Sequence, residues 1–145
     1  MGTRNQPHNS AVSGLYNLMN SFESKLGGGE GVEGIYGSIT ATGMQRVFDV
    51  LHHSCGLGPK STLIDVGAGL GRPLLHAALS YSLVGAYGVE LDAVKVSKAE
   101  AFIAHVMREL VVRGHSAGGM ATPLITRAPV ERVRPAAPVE AWGAG

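Results

Sequence analysis

Apolar residues recur along this chain at two spacings, which predict helices and strands in a definite order. Stripes that repeat every three to four residues indicate amphipathic helices, and short continuous apolar runs bounded by turn residues indicate buried strands. After residue 60 the two patterns alternate, as in parallel α/β sheets. The pattern predicts helices over residues 10–26, about 40 or 42 to 54, 73–79 and 93–113, and strands over 63–66, 84–89 and 124–126.

Local signals mark several ends of these elements. Glycines 27–29 stop the first helix, Pro73 suits the first position of the third helix, and Asp92 can cap the fourth. The helical stripes predict which side chains are buried. Cys55 closes the stripe of the second helix and is predicted to be a small buried hydrophobe, whereas His76 is predicted to lie on a helix surface.

The first strand runs directly into a glycine-rich turn. Asp65 is followed by Gly67, Gly69 and Gly71 in the order Asp-x-Gly-x-Gly-x-Gly, and glycine lets a backbone turn sharply and approach a ligand closely. The second strand is closed by Glu90, whose carboxylate can take the two hydroxyls of a ribose. Together, the two strands, the glycine turn with its following helix, and Glu90 predict one nucleoside-binding site. The alternative is a sharp turn between strand and helix that binds no ligand.

The spacing of the glycines bears on which cofactor would bind. The dinucleotide pattern G-x-G-x-x-G would need glycine at position 72, where this chain has Arg72. The G-x-G-x-G spacing after Asp65 resembles the first motif of class I S-adenosylmethionine-dependent methyltransferases. Asp65 would then help to hold the methionine ammonium, directly or through water.

The flanking residues resemble a narrower group. Tyr36 and Gly37 precede the turn, and Tyr87-Gly88-Val89-Glu90 follows it, an order similar to that of Dot1-type, non-SET histone-lysine methyltransferases over residues 35–102. Ser38 stands where that family has glutamate. The resemblance implies S-adenosylmethionine as cofactor and a protein substrate, such as a histone or nucleosome, for a full-length form. It implies these cofactor-binding residues: Tyr36, Gly37, Asp65, Gly67, Ala68, Gly69, Gly71 and Glu90.

Composition limits the size of the core, the possible partners and the cellular compartment. The chain has 145 residues, of which 45% are hydrophobic, which is enough to form one hydrophobic core. Its net charge of +1 does not indicate nucleic-acid binding. One cysteine excludes an internal disulfide, and His52 and His53 lack metal-ligand spacing. With no signal peptide or membrane-spanning run, the expectation is a soluble intracellular protein, nuclear or cytoplasmic, without a membrane partner.

The last residues fit the pattern least well. In class I methyltransferases an acid after the third strand meets the adenine, and Glu131 is the candidate here; Trp142 could begin a fourth-strand region. The expected fold is α/β: the N-terminal half of a Rossmann-like methyltransferase sheet preceded by helices, and truncated. The expected division is an N-terminal helix with a glycine-rich connection over 1–34 and a partial cofactor-binding domain over 35–145.

Truncation limits the predicted function. The region that positions a methyl acceptor in such enzymes has no counterpart here, so no catalytic residue is assigned. An open three-stranded sheet would also leave an unpaired edge and an uncovered core, which predicts aggregation or pairing. Three alternatives therefore stay open: a non-catalytic S-adenosylmethionine-binding or pairing module, a methyltransferase of another substrate class, and an NAD-binding domain.

Overall fold

A computed structural model describes residues 7–26, 39–115 and 120–127. Within them, helices and strands follow the predicted order, and predicted and observed ends differ by a few residues at most. The fold is α/β, with a parallel sheet preceded by helices, as predicted. The elements are α1 (Pro7–Glu23), α2 (Ala41–Cys55), β1 (Thr62–Val66), α3 (Arg72–Tyr81), β2 (Gly85–Glu90), α4 (Ala93–Val112) and β3 (Leu124–Arg127).

Caps account for several of the helix ends. The Thr40 hydroxyl accepts a hydrogen bond from the Gly43 amide, and Gly56 ends α2 in the left-handed conformation that glycine adopts without strain. The Asp92 carboxylate accepts hydrogen bonds from the amides of Val94 and Lys95 at the start of α4, which confirms the predicted cap.

The three strands form one parallel sheet in the order β1-β2-β3. Asp65 of β1 is in register with Gly88 of β2, and Glu90 of β2 with Arg127 of β3. Helices α3 and α4 connect successive strands and pack on the sheet, while α1 packs against both helices. The carboxyl ends of β1 and β2 therefore lie side by side at one edge of the sheet, where open α/β folds bind ligands.

The core lies between the sheet and the helices. The predicted stripe of α4 is confirmed, since Phe102, Ile103, Val106 and Leu110 are buried. The apolar spacing of α2 predicts that Met44, Val47 and Phe48 are all buried. Only Met44 and Phe48 are buried, and Val47 is exposed, so the buried face of α2 is narrower than predicted. The prediction for Cys55 is wrong: its side chain is exposed at the end of α2, since no described element covers the last turn of that helix.

The prediction that His76 lies on a helix surface is also wrong. Instead of lying on a helix surface, it is completely buried where α1 and α2 meet α3. Its Nε2 lies 2.9 Å from the amide oxygen of Gln45, and its Nδ1 lies 3.0 Å from the Tyr16 hydroxyl. An amide oxygen only accepts, so Nε2 donates to Gln45, and the Tyr16 hydroxyl is the partner of Nδ1. The imidazole thus joins three helices.

Some predictions fall outside the described residues. These are the placement of Tyr36, Gly37 and Ser38, the proposed adenine acid Glu131, the fourth-strand candidate Trp142, and the boundary between residues 34 and 35. Among the helices that the structure does describe, none combines the length and the apolar character needed to cross a membrane.

Candidate functional site

The glycine turn is fixed to the neighbouring strand by backbone hydrogen bonds. The amides of Gly67 and Ala68 both donate to the Val89 carbonyl, at 2.8 and 3.1 Å, and the Gly71 amide donates to the Ala68 carbonyl at 2.8 Å. The protein's own backbone therefore holds the turn against the end of β2.

The glycines of this turn serve different purposes. Gly67, Gly69 and Gly71 all have positive φ, at +81°, +54° and +81°, a region that other residues rarely adopt. A Cβ on Gly71 would lie 2.9 Å from a methyl of Ile125 and 3.1 Å from one of Ile103, so Gly71 lets α3 approach the core. A Cβ on Gly67 would meet no atom of the described residues within 4 Å. Gly67 therefore leaves open space that a ligand can fill.

Glu90 connects the second strand to the turn. Its Oε2 accepts a hydrogen bond from the Gly69 amide at 3.0 Å, and its Oε1 accepts from the amides of Leu91 and Asp92 at 2.8 and 3.1 Å. The side chain is buried, with 9% of its surface exposed. A carboxylate offers about four acceptor sites, so roughly one remains for a ligand unless a backbone bond is exchanged. Glu90 holds the turn in shape as well as facing the site, a role that the sequence did not indicate.

Asp65 differs from Glu90 in having no hydrogen-bond partner among the described residues. It is half-buried near the end of β1, and within the part of the chain that the structure describes its carboxylate accepts no hydrogen bond. Desolvation by burial raises the pKa of Asp65 above its ordinary value. A desolvated carboxylate beside an open turn is suited to a cationic ligand group.

The raised pKa predicts how Asp65→Asn changes stability. The folded state disfavours the charged carboxylate, so Asp65 contributes most favourably below its unfolded pKa, and this contribution is lost as pH rises through its folded pKa. We therefore expect the ligand-free Asp65→Asn variant to melt at a higher temperature than wild type at pH 7. The gain should shrink as the pH is lowered toward 4.

Thermal unfolding followed by circular dichroism measures this difference. Glu100→Gln removes a carboxylate from an exposed position on α4 and serves as the matched control, with no comparable gain. A lower melting temperature for Asp65→Asn at pH 7 would contradict the desolvation argument, because it would mean that the charge is stabilised by the fold.

Arg72 points away from the site. Its guanidinium donates to Glu23 and to the Asn20 side chain of α1 and lies over the ring of Tyr16, 5.4 Å from the ring centroid. The close approach of α3 to the sheet is thus provided by Gly71, and position 72 serves to anchor α1. This arrangement agrees with the G-x-G-x-G reading of the turn.

Gly88 is a site residue that the sequence analysis missed. A Cβ at this position would lie 2.7 Å from the Cβ of Ala68 and 3.0 Å from a methyl of Leu74. Only glycine lets β2 pass this close beneath the turn. The available signal was a glycine inside a strand, which often marks a close backbone approach.

The structure thus brings together six of the eight predicted cofactor-binding residues. The six are Asp65, Gly67, Ala68, Gly69, Gly71 and Glu90, all at the carboxyl edge of β1 and β2. Across the described ranges, no group of three or more His, Cys, Asp or Glu side chains is placed to hold a metal ion.

Comparison with known proteins gives only distant similarity. No family model matches the sequence, and no curated protein matches it significantly. Among solved structures, YjhP from E. coli superposes with a TM-score of 0.46 at 15% identity, covering 77% of this chain and 36% of that one. Coclaurine N-methyltransferase, bound to N-methylheliamine and SAH, superposes with a TM-score of 0.41 at 15% identity, covering 89% of this chain and 40% of that one. The chain therefore spans two fifths or less of the length of either structure.

Proposed function

We propose that this chain is the cofactor-binding part of an S-adenosylmethionine-dependent methyltransferase. The observation that carries the proposal is the contact between Glu90 and Gly69, which joins the acid of β2 to the glycine turn of β1. Gly69 and Glu90, which are 21 residues apart in sequence, are thereby joined in one candidate site. Such a site, at the carboxyl edge of a parallel sheet, is where open α/β folds bind nucleosides.

Each group of the site matches a part of the cofactor. Glu90 would accept a hydrogen bond from a ribose hydroxyl, and the open space at Gly67 would admit the ligand close to the backbone. The half-buried carboxylate of Asp65, which accepts no hydrogen bond from the described residues, would balance the positive charge of the methionine end. When bound, S-adenosylmethionine supplies an activated methyl group on a sulfonium. The residues named here bind and orient it.

The acceptor is proposed from the sequence resemblance. Tyr36-Gly37 before the turn and Tyr87-Gly88-Val89-Glu90 after it favour a protein lysine, as in Dot1-type enzymes. Because the chain spans two fifths or less of the two similar structures, we propose that residues outside this sequence position the acceptor. Methyl transfer would then need the longer protein.

A non-catalytic binding or pairing module is the second candidate. It is favoured by the three backbone amides that donate to Glu90, since these hydrogen bonds give the acid a structural role within the protein itself. It is also favoured by the exposed apolar residues on one face of the sheet, such as Ile64 and Leu124. Methylation of a protein by the purified chain alone would exclude this candidate.

Calorimetric titration with S-adenosylmethionine, S-adenosylhomocysteine and NADH tests the proposal. We expect saturable binding of the first two and none of NADH, because the site offers a carboxylate to a cationic methionine end and lacks the G-x-G-x-x-G spacing that seats a pyrophosphate. The folded state is verified beforehand by circular dichroism. Absence of binding by folded protein would contradict the proposal, and binding of NADH alone would indicate a dinucleotide site.

A further inference from the structure

A cavity of about 750 Å³ lies between α1, α2 and α3, away from the glycine turn. Cavities of this size between packed helices are typical binding sites for small molecules. Its floor includes Tyr81 in the last turn of α3, whereas Gly71 precedes the first turn of that helix, about 15 Å away along the helix axis. We call it the helix cavity, and the side chains that define it are Val12, Gln45, Arg46, Asp49, His52 and Tyr81.

Gln45 holds two polar groups of the helix cavity in place. Its Nε2 donates to Asp49 Oδ1 at 2.9 Å and to the Tyr81 hydroxyl at 3.2 Å. Its Oε1 lies 2.9 Å from Nε2 of the buried His76. The hydrogens of the Gln45 amide group are thereby both used, and its oxygen is anchored to the core. The positions of Asp49 and Tyr81 are therefore set by the protein.

Arg46 and Asp49 bring opposite charges to the helix cavity. Among residues 7–26, 39–115 and 120–127, no carboxylate oxygen lies within 4 Å of the Arg46 guanidinium, and one Asp49 oxygen has no hydrogen-bond donor. The two residues are three apart on α2, so their side chains are neighbours on one face of the helix. A guanidinium binds a carboxylate through two parallel hydrogen bonds, and a carboxylate accepts from an ammonium. This pair therefore suits a ligand that carries both charges close together.

Two aromatic rings form another wall of the helix cavity. The rings of His52 and Tyr81 lie with their centroids 5.9 Å apart, and Val12 lines the cavity from α1. The Nδ1 of His52 donates to the Leu57 carbonyl at 2.7 Å, which fixes the orientation of its ring. Desolvation by burial raises the pKa of Tyr81 above its ordinary value, so its hydroxyl stays protonated. A wall of two rings beside an apolar residue suits an aromatic side chain.

We propose that the helix cavity binds a free α-amino acid with an aromatic side chain. Arg46 binds its carboxylate, Asp49 binds its ammonium group, and the ring wall of the cavity packs against its side chain. This inference is independent of the proposed cofactor, because the helix cavity shares no lining residue with the glycine turn and includes neither Asp65 nor Glu90.

An NMR titration of the isotope-labelled full chain with L-phenylalanine tests the proposal, and the same spectra verify that the chain is folded. We expect saturable chemical-shift changes centred on residues 45–52 and Tyr81. Two analogues each lack one charged group: 3-phenylpropionate lacks the ammonium, and 2-phenylethylamine lacks the carboxylate. Each should bind at least about tenfold more weakly than phenylalanine, because each loses a hydrogen bond between charged groups.

Two variants assign these losses to particular residues. Arg46→Gln and Asp49→Asn should each weaken phenylalanine binding about tenfold or more. Arg46→Gln should not weaken binding of 2-phenylethylamine, and Asp49→Asn should not weaken that of 3-phenylpropionate, because these analogues lack the group that the lost side chain binds. The matched controls are Arg108→Gln and Glu100→Gln, at exposed positions on α4, and they should leave the affinity for phenylalanine unchanged.

Each other outcome overturns the proposal. Absence of a saturable shift change in the folded wild-type chain would show that the helix cavity does not bind amino acids. Shift changes centred on residues 65–71 would place phenylalanine at the glycine turn instead. Unchanged affinity in folded Arg46→Gln or Asp49→Asn would show that the charged pair does not recognise the ligand. The analogues need no variant, so equal binding of phenylalanine and either analogue would overturn the proposal even if a variant failed to fold.

Discussion

Glu90→Ala is expected to abolish measurable S-adenosylmethionine binding and to lower stability at the same time. The variant removes the proposed ribose acceptor and leaves the Gly69 and Leu91 amides without their carboxylate partner. Hydrogen bonds to charged groups contribute about 1.5 to 3 kcal/mol each, and the variant loses the ribose bond together with the Gly69 bond that shapes the turn, so we expect at least about a hundredfold weaker binding. For the same reason, unfolding should require about 2 to 4 kcal/mol less free energy.

Calorimetry and urea unfolding measure these two effects separately. Glu100→Ala, at an exposed position of α4, is the control for loss of a glutamate and should change neither quantity. Binding is measured where circular dichroism shows the variant to be folded. Asp65→Asn adds a check, because it should weaken binding without loss of stability. Wild-type affinity in folded Glu90→Ala would mean that Glu90 only shapes the turn.

Gly88→Ala is expected to be the most destabilising single-methyl change at the site. The added Cβ would lie within 2.7 Å of the Cβ of Ala68 and 2.9 Å of Ile125. The Ala68 Cβ is fixed to the backbone of the turn and cannot rotate away, so β2 and the turn must separate. Overpacking of this kind costs about 1 to 3 kcal/mol, and we expect about 3 here.

The same shift should reach the proposed cofactor site, because the amides of Gly67 and Ala68 both donate to the Val89 carbonyl. We therefore expect weaker S-adenosylmethionine binding in Gly88→Ala as well. Gly58→Ala is the matched control, since a Cβ there would approach only one backbone oxygen, at 3.8 Å. Equal unfolding free energies for the two variants, measured with urea, would show that the strand has room to yield.

Local pattern was sufficient for the elements and for the position of the glycine turn. Among the described residues, apolar periodicity located the four helices, and short runs located β1, β2 and β3, because both signals depend on residues close in sequence. The cap at Asp92 and the glycine turn after Asp65 are local in the same sense. Since parallel strands end at one edge, the acid closing β2 could be placed beside that turn from sequence alone.

Contacts between distant residues were decided only by the tertiary structure. Periodicity identifies an apolar face but does not say which neighbour covers it, so His76 was placed on a surface, although Tyr16 and Gln45 enclose it. Cys55 follows the stripe of α2 yet is exposed, because no described element packs over its turn. In the same way, a glycine within a strand gave no measure of how closely Gly88 passes Ala68.

The site shows the same division between sequence and tertiary structure. Sequence determined that a strand, a glycine turn and an acid would meet at one edge, because strand direction and glycine conformation follow from local chemistry. The hydrogen bonds of Glu90 to the turn and the half-buried position of Asp65 depend on the packing of β1 against β2. These distances, between residues far apart in the chain, are what the tertiary structure alone decided.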